Sequence, residues 1–406
     1  MTISEIRAQF PILGTQVYGK PLVYLDNAAS AQRPVSVVEC WTSLVQGANA
    51  NIHRAVHKLA GSATEAYEGT RNAVRDFLNA SSSEEIVFTS GATAAINLVA
   101  FSFGETFIEE GDEIIVSVAE HHSNIVPWQM LCQRKKAVLK VLDIDENGVL
   151  QPSALEKLIS KRTKIVAISH ISNVLGLINP VKEIVTVSHL FGVPVLVDGA
   201  QGIVHEKVDV QELDCDFYVF SGHKLYAATG TGVLYGKKKW LDAMPPYMGG
   251  GEMIHSVSFE ETTYAPLPGK FEAGTQNFNA VPTLIPAINF ASACRNSADV
   301  QEEQEAILDY VYKALTENPR VKLYGLPRQA KVPVFSFSVE GAHHEDLALI
   351  LDKMGIALRS GQMCAEPLMD RLGETGLLRA SFAPYNTLEE AKYFIKCLDK
   401  AIDMLI

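Results

Sequence analysis

The residues best equipped for chemistry in this 406-residue chain fall in four short polar clusters, each at the end of an apolar run. In Thr89-Ser90-Gly91-Ala92-Thr93 a tight turn leads into a helical pattern. The free amides of a helix start, with the Thr93 hydroxyl, can hold an anion, and a plain helix cap explains the cluster equally well. In Glu120-His121-His122-Ser123-Asn124 the adjacent histidines point to opposite sides of an extended backbone. One can face a ligand while the other serves the structure. A two-histidine metal site, which favours i, i+4 spacing, is not expected. Asp198-Gly199-Ala200-Gln201 puts a carboxylate at the end of a buried strand, where it needs a cation or hydrogen bonds. It reads as a cap or as the partner of a protonated ring nitrogen. Phe220-Ser221-Gly222-His223-Lys224 sets an amine directly after an apolar strand. Burial there lowers the lysine pKa towards what a Schiff-base lysine needs, and Ser221 and His223 can bind phosphate. An anion cradle, a flat stacking ring, a buried carboxylate and a buried amine are together what pyridoxal 5'-phosphate requires.

Such clusters must be delivered by the carboxyl ends of strands. Apolar runs over 85–89, 113–118, 138–142, 164–170, 193–198 and 216–221 do not alternate with polar residues, which suits strands buried on both faces of a parallel sheet. Helical patterns over 93–103, 125–134 and 181–191 lie between them. Alternating strand and helix predicts an α/β domain with its ligand site at the strand ends. Beyond about residue 285 the pattern changes. Helical stretches over 286–298 and 301–316 precede an alternating strand at 332–339, a helix at 346–354 and strands at 356–359 and 377–382. Capping boxes at Thr2/Glu5 and Thr387/Glu390 open the first and last helices. The expected organisation is a large α/β domain over 15–285 and a smaller α+β domain over 286–406, with segment 1–14 packed near the latter.

The formal net charge of −12 argues against a nucleic-acid partner, and no apolar run approaches the ~18 residues of a membrane span. The start of the chain lacks the basic and apolar regions of a secretory signal. Six scattered cysteines without C-x-x-C or zinc-like spacing fit a reducing, cytoplasmic compartment and no metal. Five of them read as small buried apolar residues.

Asp198-Gly199-Ala200-Gln201 and Ser221-Gly222-His223-Lys224 resemble motifs of the fold-type I pyridoxal-phosphate enzymes, the aspartate aminotransferase superfamily. Three further motifs narrow the resemblance: the run from Glu120 to Gln129, Arg359-Ser360-Gly361-Gln362-Met363-Cys364-Ala365, and Arg379-Ala380-Ser381-Phe382. They are similar to those of group II cysteine desulfurases of the SufS/CsdA type, which include selenocysteine lyase-like members. The likeness runs from Tyr24-Leu25-Asp26-Asn27-Ala28-Ala29 to the last helix. It implies a mostly parallel central sheet with helices on both faces and a smaller α+β C-terminal domain carrying the cysteine loop.

The resemblance implies that Lys224 is the Schiff-base lysine, that His121 stacks on the cofactor ring and assists proton transfers, and that Cys364 is the nucleophile that becomes a persulfide. Asp198 would pair with the ring nitrogen and Gln201 with the ring 3-hydroxyl. Thr93, the Ala92 amide, Ser221 and His223 would hold the phosphate, with Thr275 of Glu272-Ala273-Gly274-Thr275 supplied by a partner subunit. Asn173, Arg379 and Arg359 would bind the substrate, and His53 would lie near the partner's site. The implied reaction converts L-cysteine to L-alanine, and L-selenocysteine is a further substrate the resemblance admits.

Two departures stand out. Ala227-Ala228 replaces a Gly-Pro pair, which is expected to loosen the loop, and Ala92 replaces a hydroxyl residue, which is expected to weaken the phosphate site. An aminotransferase on the same fold would share Lys224 and Asp198 but need no cysteine opposite the cofactor. A cofactor-less scaffold is the remaining reading. The expected assembly is a homodimer. The short connection from Arg359 to Pro367 predicts that sulfur stays near the cofactor, shielded from bulk thiols, until a SufE-like acceptor takes it.

Overall fold

Valine- and isoleucine-rich runs build the centre of the molecule. The computed structural model describes residues Met1–Ile406. Its main sheet has seven strands: β1 (Ile86–Thr89), β2 (Glu113–Ser117), β3 (Val138–Leu142), β4 (Thr163–Ser169), β5 (Val195–Asp198), β6 (Phe217–Ser221) and β7 (Gly232–Gly236). Their spatial order is β1-β7-β6-β5-β4-β2-β3. Neighbours from β6 to β3 run parallel, while β7 is antiparallel to both β1 and β6. Successive strand residues alternate between two apolar clusters: Val166, Ile168, Val195 and Val197 enter one, and Ile165, Ala167 and Leu196 the other. Both faces are therefore covered, which is why these strands read as unbroken apolar runs. The edge strand β3 differs, with Val138 and Val141 exposed. No helix is long and apolar enough to cross a membrane.

A second, antiparallel sheet follows, with β8 (Val321–Tyr324), β9 (Val334–Val339), β10 (Arg359–Gly361) and β11 (Leu377–Ser381) in the order β8-β9-β11-β10. The alternation over 332–339 predicts a half-exposed strand, yet β9 is buried at every position but one. Phe335, Phe337 and Val339 join the helix-covered core, while on the opposite face Ser336 Oγ donates to the Val174 carbonyl of the large sheet's loops. The expected single strand over 356–359 is divided. Ile356–Ala357 pairs in parallel with Val23–Tyr24, and Arg359–Gly361 pairs with β11. Leu25 thereby joins the small unit's core.

The N-terminal helix Ile3–Ala8 carries the predicted capping box, and Arg7 pairs with Glu390 of the last helix. Phe10 packs on Tyr385 and on Phe290 of helix Leu284–Arg295. That helix also packs against Val35–Gly47 and Lys58–Leu78, so it bridges the two units.

One buried ion pair anchors a segment used below. Glu272 accepts from Arg71 Nη1 at 2.7 Å and Nη2 at 2.9 Å, from the Phe88 amide at 2.7 Å and from Tyr67 Oη at 3.1 Å. Both members of the pair are almost fully buried. Glu272→Ala leaves the buried guanidinium with only Glu68 and the Ile86 carbonyl as partners and takes the acceptor from the Phe88 amide, so unfolding free energy should fall by about 1–3 kcal/mol. Chemical denaturation checks this; an unchanged midpoint would refute it.

Candidate active site

The carboxyl ends of β1, β2, β4, β5 and β6 open onto one cavity of about 190 Å³, and residues from the small sheet close its other side. Lys224, His121, Asp198, Gln201, Ser221 and His223 line it from the large unit, with Ala92, Thr93 and Asn173. Cys364, Arg359 and Arg379 line it from the small one. Twelve of the fourteen residues singled out in the sequence thus meet in one place. Thr275 and His53 do not: within a protomer Thr275 lines a separate cavity, and His53 pairs with Glu68 at 3.0 Å.

Lys224 is half-buried at the cavity wall, and desolvation lowers its pKa to about 8 against the opposing pull of Asp198. Asp198 is raised by the same burial, with the Ala200 amide donating to Oδ1 at 3.0 Å and Lys224 acting the other way. Burial also drives His121 down to about 4, helped by Lys224. The Ser123 amide donates to His121 Nδ1 at 3.1 Å, so the neutral ring carries its proton on Nε2. Beneath it, Glu120 is fully buried and pushed up to about 7, although Ser117 Oγ, Asn124 Nδ2 and the Ser169 amide all donate to it. His223 is likewise lowered to about 4 by burial.

At the anion cradle the Ala92 amide donates to Ser221 Oγ at 2.8 Å, joining the start of helix Ala92–Phe107 to the end of β6. Gly232 on β7 passes so close that a Cβ there would meet Gly91 Cα at 2.4 Å. Only glycine allows that strand to back the cradle. The expected loosening at Ala227-Ala228 does not occur. Both are buried, the Ala227 amide donates to the Gly222 carbonyl, and the Ala228 amide donates to Thr283 Oγ1 at 3.1 Å. A proline at 228 would lose that last bond. Gln201 Nε2 donates to the Ala28 carbonyl at 2.7 Å.

Arg379 is almost wholly buried, with Nη1 donating to the Asn173 carbonyl at 3.0 Å and Nη2 to Asp26 Oδ1 at 3.1 Å. Its buried Nε has no hydrogen-bond partner, an orphaned donor that an anionic substrate group would satisfy. Asp26 and the lining residues Ala28 and Ala29 belong to a motif quoted above without a role for its members.

The cysteine loop is the four-residue connection 362–365 between β10 and helix Glu366–Leu372. Met363 and Cys364 both have left-handed backbones, with φ of +55° and +56°. Such residues cost about 1–2 kcal/mol each, so hydrogen bonds must hold them. Asn173 Nδ2 donates to the Met363 carbonyl at 2.9 Å and the His122 amide to the Cys364 carbonyl at 2.7 Å. The loop is short, as expected, but the expected shielding is absent in the protomer: Met363 is buried and Cys364 is exposed at the rim. Of the other five cysteines, Cys215, Cys294 and Cys397 are buried, whereas Cys40 and Cys132 are half-buried.

An arrangement with a half-buried, easily neutralised amine, a neutral ring beside it, a buried carboxylate and an amide-lined anion cradle fits pyridoxal phosphate chemically. A thiol across the cavity adds a nucleophile.

Residues 23–394 match the aminotransferase class-V family model. The chain is 45% identical to a probable cysteine desulfurase of Vibrio cholerae over the full length of both chains. It is 46% identical to a cysteine desulfurase of Cronobacter sakazakii, covering 96% of this chain and 95% of the other. Among solved structures it resembles the cysteine desulfurase CsdA of Escherichia coli (TM-score 0.91, 39% identity, all of both chains). It also resembles an apo cysteine desulfurase of Thermococcus onnurineus NA1 (TM-score 0.92, 36% identity, 100% and 99% of the two chains).

Proposed function

The chain belongs to the aminotransferase class-V family, and from that premise we propose the chemistry of its cavity. The protein is a pyridoxal-phosphate-dependent cysteine desulfurase, converting L-cysteine to L-alanine with transfer of sulfur to an enzyme thiol. The observation that carries the assignment of parts is the meeting of Lys224 and Cys364 across one cavity. Bound pyridoxal phosphate supplies an electron sink for negative charge at the substrate α-carbon. Lys224, with its lowered pKa, takes the α-proton as a neutral amine. Asp198 would keep the ring nitrogen protonated, His121 would cover the ring, and Gln201 would serve the ring hydroxyl. Thr93, Ser221 and His223 would hold the phosphate, together with the Ala92 amide once it turns from Ser221 Oγ to the anion. Arg379 through its orphaned Nε, with Asn173 and Arg359, binds the substrate carboxylate. The Cys364 thiolate attacks the substrate sulfur: a sulfur–sulfur bond forms, the carbon–sulfur bond breaks, and its electron pair passes to the carbon skeleton, which is protonated to alanine. Mass spectrometry after exposure to L-cysteine should find one added sulfur on Cys364 and an equivalent of alanine. Keto acid with an unmodified Cys364 would instead mean an aminotransferase.

The working form in this reading is a homodimer, with Thr275 and His53 serving the partner's cavity. Two features support it: those residues lie outside their own cavity, and helix Val35–Gly47 leaves Val38, Trp41 and Val45 exposed along one face. Sedimentation should find a dimer at working concentration; a fully active monomer would overturn this. A cytoplasmic location goes with a required free thiol, since six unpaired cysteines suit a reducing compartment.

Sulfur release calls for a carrier protein. The 362–365 loop is short and firmly held, so the persulfide stays at the exposed rim, where an acceptor's own cysteine can reach it. A SufE-like protein should raise steady-state alanine production several-fold at fixed reductant. Equal rates with and without it would sink this reading.

A further inference from the structure

His122 makes no contact with the reaction in the account above, yet it holds the cysteine loop at two points. Its amide donates to the Cys364 carbonyl at 2.7 Å. Its ring Nε2 accepts from the Glu366 amide at 3.0 Å, the first residue of the helix that follows. A backbone donor at Nε2 requires the neutral ring with its proton on Nδ1. Both bonds lie on the C-terminal side of the pair of left-handed residues. Asn173 holds the N-terminal side through the Met363 carbonyl. The neighbouring residue in sequence, His121, lines the cofactor cavity. One turn of chain following β2 therefore carries both the ring beside the cofactor and the clamp on the thiol's loop.

We propose that His122 is a positioning residue for Cys364: it registers the nucleophile against the cofactor ring by tying residues 364 and 366 to the backbone that carries His121. This inference rests on the desulfurase reading. The left-handed pair relaxes readily once a tether is lost, because ordinary side chains disfavour that conformation. The amide tether of residue 122 survives any substitution except proline, so the side chain's share is the bond to Glu366. Without it the first turn of helix Glu366–Leu372 frays, and Cys364 samples positions unsuited to in-line attack on the substrate sulfur.

His122→Phe keeps a ring of similar volume without the acceptor, and His122→Gln restores an acceptor oxygen. For His122→Phe holoenzyme, the rate of persulfide formation on Cys364 in a single turnover should fall roughly ten- to hundredfold. KM for L-cysteine and the cofactor absorption band should stay as in the parent. Deuterium uptake of a peptide covering residues 362–368 should quicken, and His122→Gln should recover most of both losses. Parent-like rates and exchange in His122→Phe would overturn the clamp, as would equal losses in the Gln variant. If His122→Phe does not fold, His122→Gln decides alone: exchange over 362–368 and kcat near the parent support the clamp, and a parent-like fold with the loop freed refutes it. A parent enzyme that forms no persulfide at all would instead overturn the desulfurase reading on which the clamp depends.

Discussion

Lys224→Ala should abolish turnover of L-cysteine and the near-visible absorption of a lysine-linked cofactor together. A positioned general base is worth roughly 10²–10⁴-fold, and here the same amine also forms the covalent link, so the loss should reach or exceed the upper end. The physical preparation is visible in the site. An ordinary lysine near 10.5 is almost entirely protonated at pH 8, whereas one lowered to about 8 is half neutral there. Burial does this, and Asp198 limits it. Rates should accordingly rise with pH through that region as the ammonium loses its proton. Borohydride should fix the cofactor to the parent chain and leave the variant unlabelled. A variant that still gives a reducible band and alanine would remove Lys224 from its role.

Cys364→Ala should separate the two halves of the chemistry. Cofactor absorption and substrate binding should persist, because Cys364 shares no hydrogen bond with Lys224, Asp198 or Ser221 through its side chain. Desulfuration of cysteine should fall by roughly 10³-fold or more, the scale on which deleting a nucleophile acts. Cleavage of L-selenocysteine should survive in part, since the weaker carbon–selenium bond breaks without nucleophilic help. Full cysteine turnover in the variant would make Cys364 a structural residue and shift the sulfur to another thiol.

How much could be read in advance differed by physical signal. Strands buried on both faces leave unbroken apolar runs, and β2, β4, β5 and β6 were legible for that reason. Strand β7, read as Gly-Val-Leu-Tyr-Gly, was not: it is short, bounded by glycines, and follows the lysine turn without a helix. Helix Val35–Gly47 hid because part of its apolar surface faces outwards, which blurs the two-sided pattern. Polar strand ends announced most of the cavity. The Asp26–Arg379 pair did not, since its members lie 353 positions apart and neither has a local pattern. His122 was correctly separated from His121 by backbone alternation, but its attachment to Glu366 depends on a loop 244 positions away.

The anion cradle also carries a lesson about biogenesis. Its floor joins β1, among the first strands of the large sheet to leave the ribosome, to β7, the last, and the bond from the Ala92 amide to Ser221 Oγ links sites 129 positions apart. Such distant pairings form late, after the intervening chain has been ordered. A nascent or partly folded chain therefore has a lysine and a carboxylate but no finished cradle, and cannot retain the cofactor. Capture becomes a checkpoint on completed sheet assembly, and by mass action it then stabilises only those molecules that have passed it.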